Sequence, residues 1–157
     1  MSAGPFTIRL GCLEDAAVIV RHRHAMFSDM GYRDEAWRDE MAVAFLPWLR
    51  RKMESGEYVA WFAVALDGSV AAGAGLWLQD WMPTRVGRDG RRGYIINVYT
   101  EAPYRRLGLA RRLMEIILDR CRQEGVGMAA LNASNEGRPL YESLGFKATN
   151  DMRLDLG

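Results

Sequence analysis

Residues 97–114 read Asn-Val-Tyr-Thr-Glu-Ala-Pro-Tyr-Arg-Arg-Leu-Gly-Leu-Ala-Arg-Arg-Leu-Met, and their hydrophobic period changes partway along. The first part is β-branched and aromatic, which favours a strand, and Pro103 ends that strand because it has no N–H to donate. From Ala110 to Cys121 the apolar residues recur at the spacing of one helical face. The stretch therefore predicts a strand, a tight turn and a helix that ends near Gly125.

The turn between this strand and this helix suits an anion. The first backbone N–H groups of a helix have no partners within the helix and carry the positive end of its dipole. Gly108 leaves the backbone accessible because it has no Cβ. Four arginines add positive charge around it: Arg105, Arg106, Arg111 and Arg112. We interpret the turn as a phosphate or pyrophosphate site, with an ordinary tight turn and solvated arginines as the alternative.

The turn has neither the spacing of a P-loop nor that of a dinucleotide-binding glycine motif. Instead, Arg105-x-x-Gly108-x-Ala110 matches Q/R-x-x-G-x-G/A, the acetyl-CoA pyrophosphate motif of the GCN5-related N-acetyltransferase (GNAT) superfamily. Residues 97–101 and residues 140–146, Leu-Tyr-Glu-Ser-Leu-Gly-Phe, also resemble this superfamily, in the same order. The resemblance covers essentially the whole chain and implies acetyl-CoA as the acetyl donor.

The composition is that of a water-soluble domain. The chain has 157 residues, of which 49% are hydrophobic and 26% charged, so we expect a single domain over residues 1–157. A net charge of +1 gives no bulk electrostatic reason to bind nucleic acid or an anionic membrane. No apolar run reaches the roughly 18 residues of a spanning helix.

The cysteines and the N-terminus indicate the cellular compartment of the protein. Cys12 and Cys121 fit no metal or redox spacing, so we expect no metal site and two reduced thiols. The N-terminus lacks a basic stretch followed by an apolar one, which argues against a secretory signal. We therefore expect a cytoplasmic protein.

Period and turn signals divide the chain into alternating elements. The predicted strands are 6–10, 58–66, 70–78, 94–100, 127–133 and 146–156, and the predicted helices lie near 16–30, 37–48, 110–124 and 136–144. Pro47 should kink or divide the second helix. The irregular segment 79–93 is either a solvated loop or a flap over the acceptor site. This order predicts an α/β fold with a mixed sheet and helices on both faces.

The GNAT resemblance adds detail to this fold. It implies a mostly antiparallel central sheet that splays after the central strand. The backbone groups of Val98, Tyr99 and Thr100 would then bind the pantetheine arm, although Val98 and Thr100 also suit plain core packing. The pyrophosphate would be held by the turn: Arg105, Arg106, Leu107, Gly108, Leu109, Ala110 and Arg111. Ser134 stands where many relatives have a cofactor-contacting asparagine and Asn135 follows one place later, so either is a candidate.

Acetyl transfer to an amine needs a proton acceptor for the ammonium and a proton donor for the leaving thiolate. By resemblance Tyr141 is the donor, since a phenol with a pKa near 10 stays protonated at neutral pH; a buried anchor for the last helix is the alternative. No carboxylate precedes Glu101 in the central strand, so Glu101 is the candidate base. The alternatives are a water ordered by Asn97 or Tyr99 and, more distantly, Asp80.

The acceptor pocket is predicted from aromatic residues and the end of the first helix. Its candidate members are Phe27, Met30, Tyr32, Trp77, Asn97 and Tyr99. Aromatic faces beside a carboxylate suit a cation with an apolar body. We expect an N-acetyltransferase of a small-molecule primary amine; a protein or peptide acceptor, or a non-catalytic acyl-CoA-binding module, are the alternatives.

Two further expectations follow from the sequence. His22 and His24 are two residues apart and cannot share a helix face, so we expect both at the surface or at an edge of the fold. A homodimer is left open.

Overall fold

The computed structural model describes residues 5–157, so residues 1–4 of the predicted domain lie outside it. The strands in this range are β1 (Phe6–Leu10), β2 (Tyr58–Ala65), β3 (Val70–Asp80), β4 (Arg91–Thr100) and β5 (Ala129–Ala130). The helices are α1 (Ala16–Asp29), α2 (Glu35–Glu54), α3 (Leu109–Gln123) and α4 (Arg138–Ser143). Single 3-10 turns at Leu13–Asp15 and Ala102–Tyr104 precede α1 and follow β4.

The five strands form one mixed sheet in the order β1-β2-β3-β4-β5. Neighbours from β1 to β4 pair antiparallel, whereas β4 and β5 are parallel. β5 pairs with β4 only opposite Gly93 and Tyr94, while β4 continues to Thr100. The two strands therefore separate beyond Tyr94, which confirms the predicted splayed, mostly antiparallel sheet.

Helices cover both faces of the sheet, as predicted. On one face α3 buries Leu113, Met114 and Ile117 against Leu76 and Ile95. On the other face α1 and α2 form a second core, whose central members are Ile19, Phe45, Leu49, Tyr58 and Phe62. No helix within residues 5–157 has the length and hydropathy needed to cross a membrane.

Small residues in β3 make room for large ones on β2. A Cβ on Gly75 would overlap the hydroxyl group of Tyr58, which packs across this position. Ala71, Ala72 and Ala74 are buried beside it. Gly75 thus allows the second core to approach the sheet closely, and the three alanines pack in the core on the α3 side.

The helix α2 is continuous across Pro47, so the predicted division does not occur. Pro47 removes the hydrogen bond that would otherwise reach the carbonyl of Val43. Both residues lie on the exposed side of α2, where water can bind that carbonyl, while Phe45 and Leu49 hold the buried side in place.

Three predicted segments differ from the structure. β3 and β4 extend further than expected, so the irregular segment is 81–90, and its Val86 and Gly87 pack against Gly127 and Met128 before β5. The strand predicted at 127–133 shortens to two residues.

The strand predicted at 146–156 is absent. A strand needs a neighbour to take its backbone hydrogen bonds, and this segment pairs with none among the described strands. Phe146 packs against the α3-side core, but the later apolar residues are exposed, Met152 at 98%.

Candidate active site

The site is organised by a β-bulge in β4. Gly75 pairs with Ile96, but Gly73 pairs with Tyr99, so β4 contains one more residue than β3 between these pairs. Asn97 has a φ of 57°, in the left-handed region that asparagine tolerates better than most residues. Because of the extra residue, Ile96 and Asn97 both face α1 and α2, and Tyr99 and Glu101 follow on that side.

Asn97 is the centre of a buried polar network and is only 5% exposed. Its side-chain nitrogen donates to the Tyr58 hydroxyl at 3.0 Å, and its Oδ1 accepts from Arg23 at 2.9 Å. Burial raises the pKa of Tyr58 to about 12, so this hydroxyl stays protonated. A small cavity at the bulge is lined by Asn97, Tyr58, His22 and Gly73.

His22 connects this cavity with Glu101. It is 2% exposed, and its ring centroid lies 5.0 Å from that of Tyr99. Its Nε2 is 3.2 Å from Glu101 Oε1, although the angle is not that of a hydrogen bond. Burial lowers the pKa of His22 while the charge of Glu101 opposes the shift, so the ring is neutral at neutral pH. Glu101 also contacts Arg21 at 3.2 Å.

The expectation that His22 lies at the surface or an edge is wrong. His24 does lie near the surface, where its Nε2 is 2.9 Å from Asp39. His22 instead follows Ile19 by three residues and so continues the buried stripe of α1. The three-residue spacing from Ile19 is the sequence signal that identifies His22 as buried, and His24 does not share it.

The turn before α3 has an open, concave backbone. Arg106 and Gly108 have φ values of 63° and 76°, and no atom lies within 4 Å of the place where a Cβ on Gly108 would be. The N–H of Arg112 bonds to the carbonyl of Gly108, so the three N–H groups of residues 109–111 come before the first helical hydrogen bond. Such a turn offers backbone donors and positive dipole to an anion.

The Arg105 side chain has a structural contact of its own. Its guanidinium donates to Asp29 at 2.6 Å and to the Thr100 carbonyl at 3.0 Å, and it lies 5.7 Å from the Tyr99 ring centroid. The side chain thus ties the turn to the end of α1. The predicted pyrophosphate contacts therefore depend on the backbone of residues 106–111.

Tyr141 lies on the opposite side of the sheet from Glu101. It is buried on α4, in the same core as Val98 and Leu109, and its ring meets Phe146 edge-on at 6.1 Å. Burial raises the pKa of its phenol. Of the two candidates before it, Ser134 accepts from the N–H of Gly137 at 3.1 Å and so fixes the turn into α4. Asn135 is exposed.

The six predicted acceptor residues fall into separate groups. Phe27 and Tyr32 cluster with Trp37, with ring centroids 5.3 to 5.5 Å apart, and Met30 is exposed nearby. The ring centroid of Trp77 lies 4.8 Å from that of Trp48 and 6.3 Å from that of Tyr94. Asn97 and Tyr99 lie on β4, where they contact α1.

The carboxylates of Asp29, Asp39 and Glu101 on this side contact basic side chains, whereas other arginines lie against the aromatic rings. Arg23 lies 4.8 Å from the ring centroids of both Phe27 and Phe45. Arg92 stacks 3.8 Å from the Trp81 ring centroid, and Asp80 is exposed at the end of β3. The cationic acceptor suggested by the aromatic residues therefore meets a positively charged wall.

Comparison with known proteins identifies the family. The acetyltransferase (GNAT) family matches residues 20–146. The chain belongs to the GNAT family. A GCN5-related N-acetyltransferase from Ralstonia eutropha JMP134 is 31% identical, with 96% of this chain and 98% of that one covered at a TM-score of 0.90. A predicted acetyltransferase from Clostridium acetobutylicum, solved with acetyl-CoA, is 26% identical, with 96% of both chains covered at a TM-score of 0.88.

A curated relative of this GNAT chain is the glucosamine 6-phosphate N-acetyltransferase of Trypanosoma brucei brucei. It is 34% identical over 91 residues, which are 57% of this chain. The match spans 59% of the relative's length.

Two features of this GNAT chain fit acetyl-CoA. The edge of β4 beyond Tyr94 is free of β5, which leaves backbone donors and acceptors for an extended arm. The open turn at Gly108 lies at the end of the same strand and suits a pyrophosphate. Both features come from the backbone, so they depend little on the surrounding side chains.

Proposed function

We propose that the chain is an acetyl-CoA-dependent N-acetyltransferase whose acceptor is the primary amine of a small molecule. The observation that carries the proposal is the splay between β4 and β5 beside the open turn at Gly108. The acetyl-CoA-bound relative supports the donor, and the relative named for glucosamine 6-phosphate supports a small-molecule acceptor.

The donor would lie along β4. The free backbone edge of Val98, Tyr99 and Thr100 would bind the pantetheine arm, and the N–H groups of residues 106–111 would bind the pyrophosphate. Acetyl-CoA supplies an activated thioester, so the protein needs mainly to hold the acetyl carbon and the amine at attack distance. The bulge at Asn97 would set that position, because the network of Arg23 and Tyr58 holds Asn97 rigidly.

The two proton transfers would occur on opposite sides of β4. As the amine nitrogen bonds to the acetyl carbon and the carbon–sulfur bond breaks, Tyr141 gives its proton to the sulfur. The amine proton leaves on the α1 side, where neutral His22 lies between the bulge cavity and Glu101. Glu101 is the proton acceptor in this scheme, and it is partly exposed, so it can pass the proton to water.

The donor site can be tested with a matched pair of glycines at the two ends of α3. Gly108 and Gly125 have φ values of 76° and 74°, and neither has an atom within 4 Å of its Cβ position. Aspartate at either position causes similar backbone strain, but only Gly108→Asp places a negative charge in the turn. We expect acetyl-CoA to bind and stabilise the wild type and the Gly125→Asp variant but not Gly108→Asp, as measured by calorimetry and melting temperature.

Catalysis is tested by thioester consumption with a library of amines. Any active acceptor excludes a non-catalytic acyl-CoA-binding module. Absence of acetyl-CoA binding to the wild type would contradict the proposed function outright.

A further inference from the structure

Unpaired donors are concentrated on the α1 and α2 side of the sheet. Among the described residues, four buried side-chain nitrogens have no hydrogen-bond partner: His22 Nε2, Arg23 Nε, Arg38 Nε and Trp77 Nε1. Buried polar groups in proteins are nearly always hydrogen-bonded, so each exception needs an explanation. The arginine and tryptophan nitrogens can only donate. This side of the fold therefore has spare capacity for a ligand with acceptor atoms.

Two of these residues, Arg23 and Arg38, line one cavity between α1 and α2. Its walls include Arg23, His24 and Phe27 from α1 and Arg38, Met41 and Phe45 from α2. The guanidinium of Arg23 lies between two aromatic rings and donates to Asn97 Oδ1, which is neutral. No ion pair among residues 5–157 includes Arg23 or Arg38. The nearby carboxylate of Asp39 is in contact with His24.

The two arginines of this cavity lack a carboxylate partner among the described residues. Arginine does not lose its proton in proteins, and a buried charge without a partner is costly. Burial lowers the pKa of Arg23, and the groups that oppose this shift are the phenols of Tyr58 and Tyr94. In protein structures a guanidinium in such surroundings normally pairs with a carboxylate or a phosphate.

Water does not resolve the imbalance. The cavity has about 10 Å³ of free space, which is close to the minimum for one water molecule. One water can accept from an Nε group, but it cannot neutralise two positive charges. An anionic group that reaches the two guanidinium groups from the cavity mouth does both.

We infer that the acceptor amine also carries an anionic group, a carboxylate or a phosphate, and that Arg23 and Arg38 bind it. This inference rests on the proposed function, since it concerns the acceptor of the same reaction. Arg23 bridges the cavity and the bulge, so an anion bound there keeps the acceptor beside Asn97, where the amine is needed. A positively charged wall then selects anionic amines and repels simple cationic amines.

The test uses acceptors in matched pairs. Glucosamine 6-phosphate with glucosamine tests a phosphate, and an amino acid with its amide tests a carboxylate. We expect the anionic member of one pair to have a kcat/KM about 100-fold above that of its neutral partner, the size of two charge-assisted hydrogen bonds. The pair that responds identifies the anion.

The arginines are tested through Arg38 because Arg23, unlike Arg38, also bonds to Asn97. Arg38→Gln should raise KM for the anionic acceptor at least about 10-fold with little change in kcat, and should leave the neutral partner unaffected. Arg50→Gln, an exposed arginine on the same helix, is the control and should change neither value. Equal use of both members of each pair, or an Arg38→Gln variant with unchanged KM, overturns the inference.

A binding measurement separates this inference from the proposed function. In the Gly108→Asp background, which removes the anion site proposed at the turn, glucosamine 6-phosphate or inorganic phosphate should raise the melting temperature. Adding Arg50→Gln should leave this rise in place, and adding Arg38→Gln should abolish it. This needs no turnover, so it holds or fails even if no amine is acetylated. If neither anion stabilises the Gly108→Asp variant and the anionic amino acid does not either, the cavity does not bind an anion.

Discussion

Tyr141 combines burial with a reactive hydroxyl group. Its raised pKa keeps the phenol protonated at and above neutral pH. Tyr141→Phe keeps the ring packing against Phe146 and Gly137 and removes only the proton donor. We expect kcat to fall about 100-fold, a typical effect of losing a general acid, with acetyl-CoA affinity and melting temperature nearly unchanged. Equal turnover by this variant in a steady-state assay would assign Tyr141 to packing alone.

Glu101 and His22 should behave as one unit. Glu101→Gln removes the negative charge that raises the pKa of His22, so the pKa of His22 falls further. We expect kcat/KM to drop, and its acidic limb to move to lower pH, because His22 then stays neutral to lower pH. The pH dependence of kcat/KM measures both effects, and Glu40→Gln, an exposed carboxylate on α2, is the control.

The double variant of Glu101→Gln and His22→Asn adds a second readout of the same pair. Residues that act together are not additive in their effects on rate. The double variant should therefore lose little more activity than either single variant. Fully additive losses, or an acidic limb that stays in place, would mean that the amine proton leaves by another route.

At the residue scale, geometry that depends on neighbours along the chain could be predicted from the sequence. The turn at Gly108 is local, and its geometry follows from residues 105–110. Arg23 is different, because its partner Asn97 is 74 positions away and faces α1 only through the bulge. A bulge depends on the pairing of two strands, and the sequence of β4 alone does not reveal it.

A bidentate ion pair connects β1 with the turn before α1. Arg9 donates to both carboxylate oxygens of Asp15 at 2.8 and 2.9 Å, and the Cys12 N–H donates to the same group. These contacts lower the pKa of Asp15 from 3.8 to about 2. Since the folded value is below the unfolded one, the stabilisation is complete above about pH 4 and is lost as the pH falls towards 2.

Asp15→Asn should therefore destabilise the protein at neutral pH. The pKa shift corresponds to at most about 2.5 kcal/mol; Arg9 is 42% exposed, so we expect about 1–2 kcal/mol. Urea unfolding at pH 7 and pH 3 measures the free energy of unfolding, and the difference between wild type and variant should shrink at pH 3. Asp119→Asn, in an exposed pair on α3, is the control and should change stability little.

Helices and strands were predicted best where the residues that define them lie within one short segment of the chain. The apolar face of α3 and the hairpin between β2 and β3 are encoded within their own segments. β5 and the predicted last strand instead depend on a neighbouring edge. An alternating apolar pattern indicates which side of a strand is hydrophobic, but it does not show whether another strand is available to pair with it.

The exposed segment 147–157 bears on the assembly of the whole molecule. Met152, Leu154 and Leu156 alternate with polar residues, as in a strand with one apolar face, yet all three are exposed. Exposed apolar residues with unpaired backbone groups are suited to association with another sheet. We expect a homodimer, measured as twice the mass of the chain by light scattering.

A variant with serine at positions 152, 154 and 156 should shift this mass to that of the monomer. The single-chain contacts of these side chains are few, so the folded signal in circular dichroism should be retained. Serine at Val43, Met82 and Val86, which are exposed elsewhere, is the control and should leave the mass unchanged. A monomeric wild type would remove the homodimer expectation.

The bulge in β4 also has a consequence for how this strand can change. One inserted residue lets Ile96 and Asn97 face the same side of the sheet. From Val98 onward the side chains again alternate between the two faces, as they would without the insertion. Excision of Asn97 alone would therefore leave every other side chain of β4 on its present side, with both cores intact. Excision at any position of the strand other than 96 or 97 would invert part of it. One codon thus encodes the residue that we propose sets the position of the acetyl group, and its loss would remove the contacts to Arg23 and Tyr58 while the alternation of the strand stays as it is.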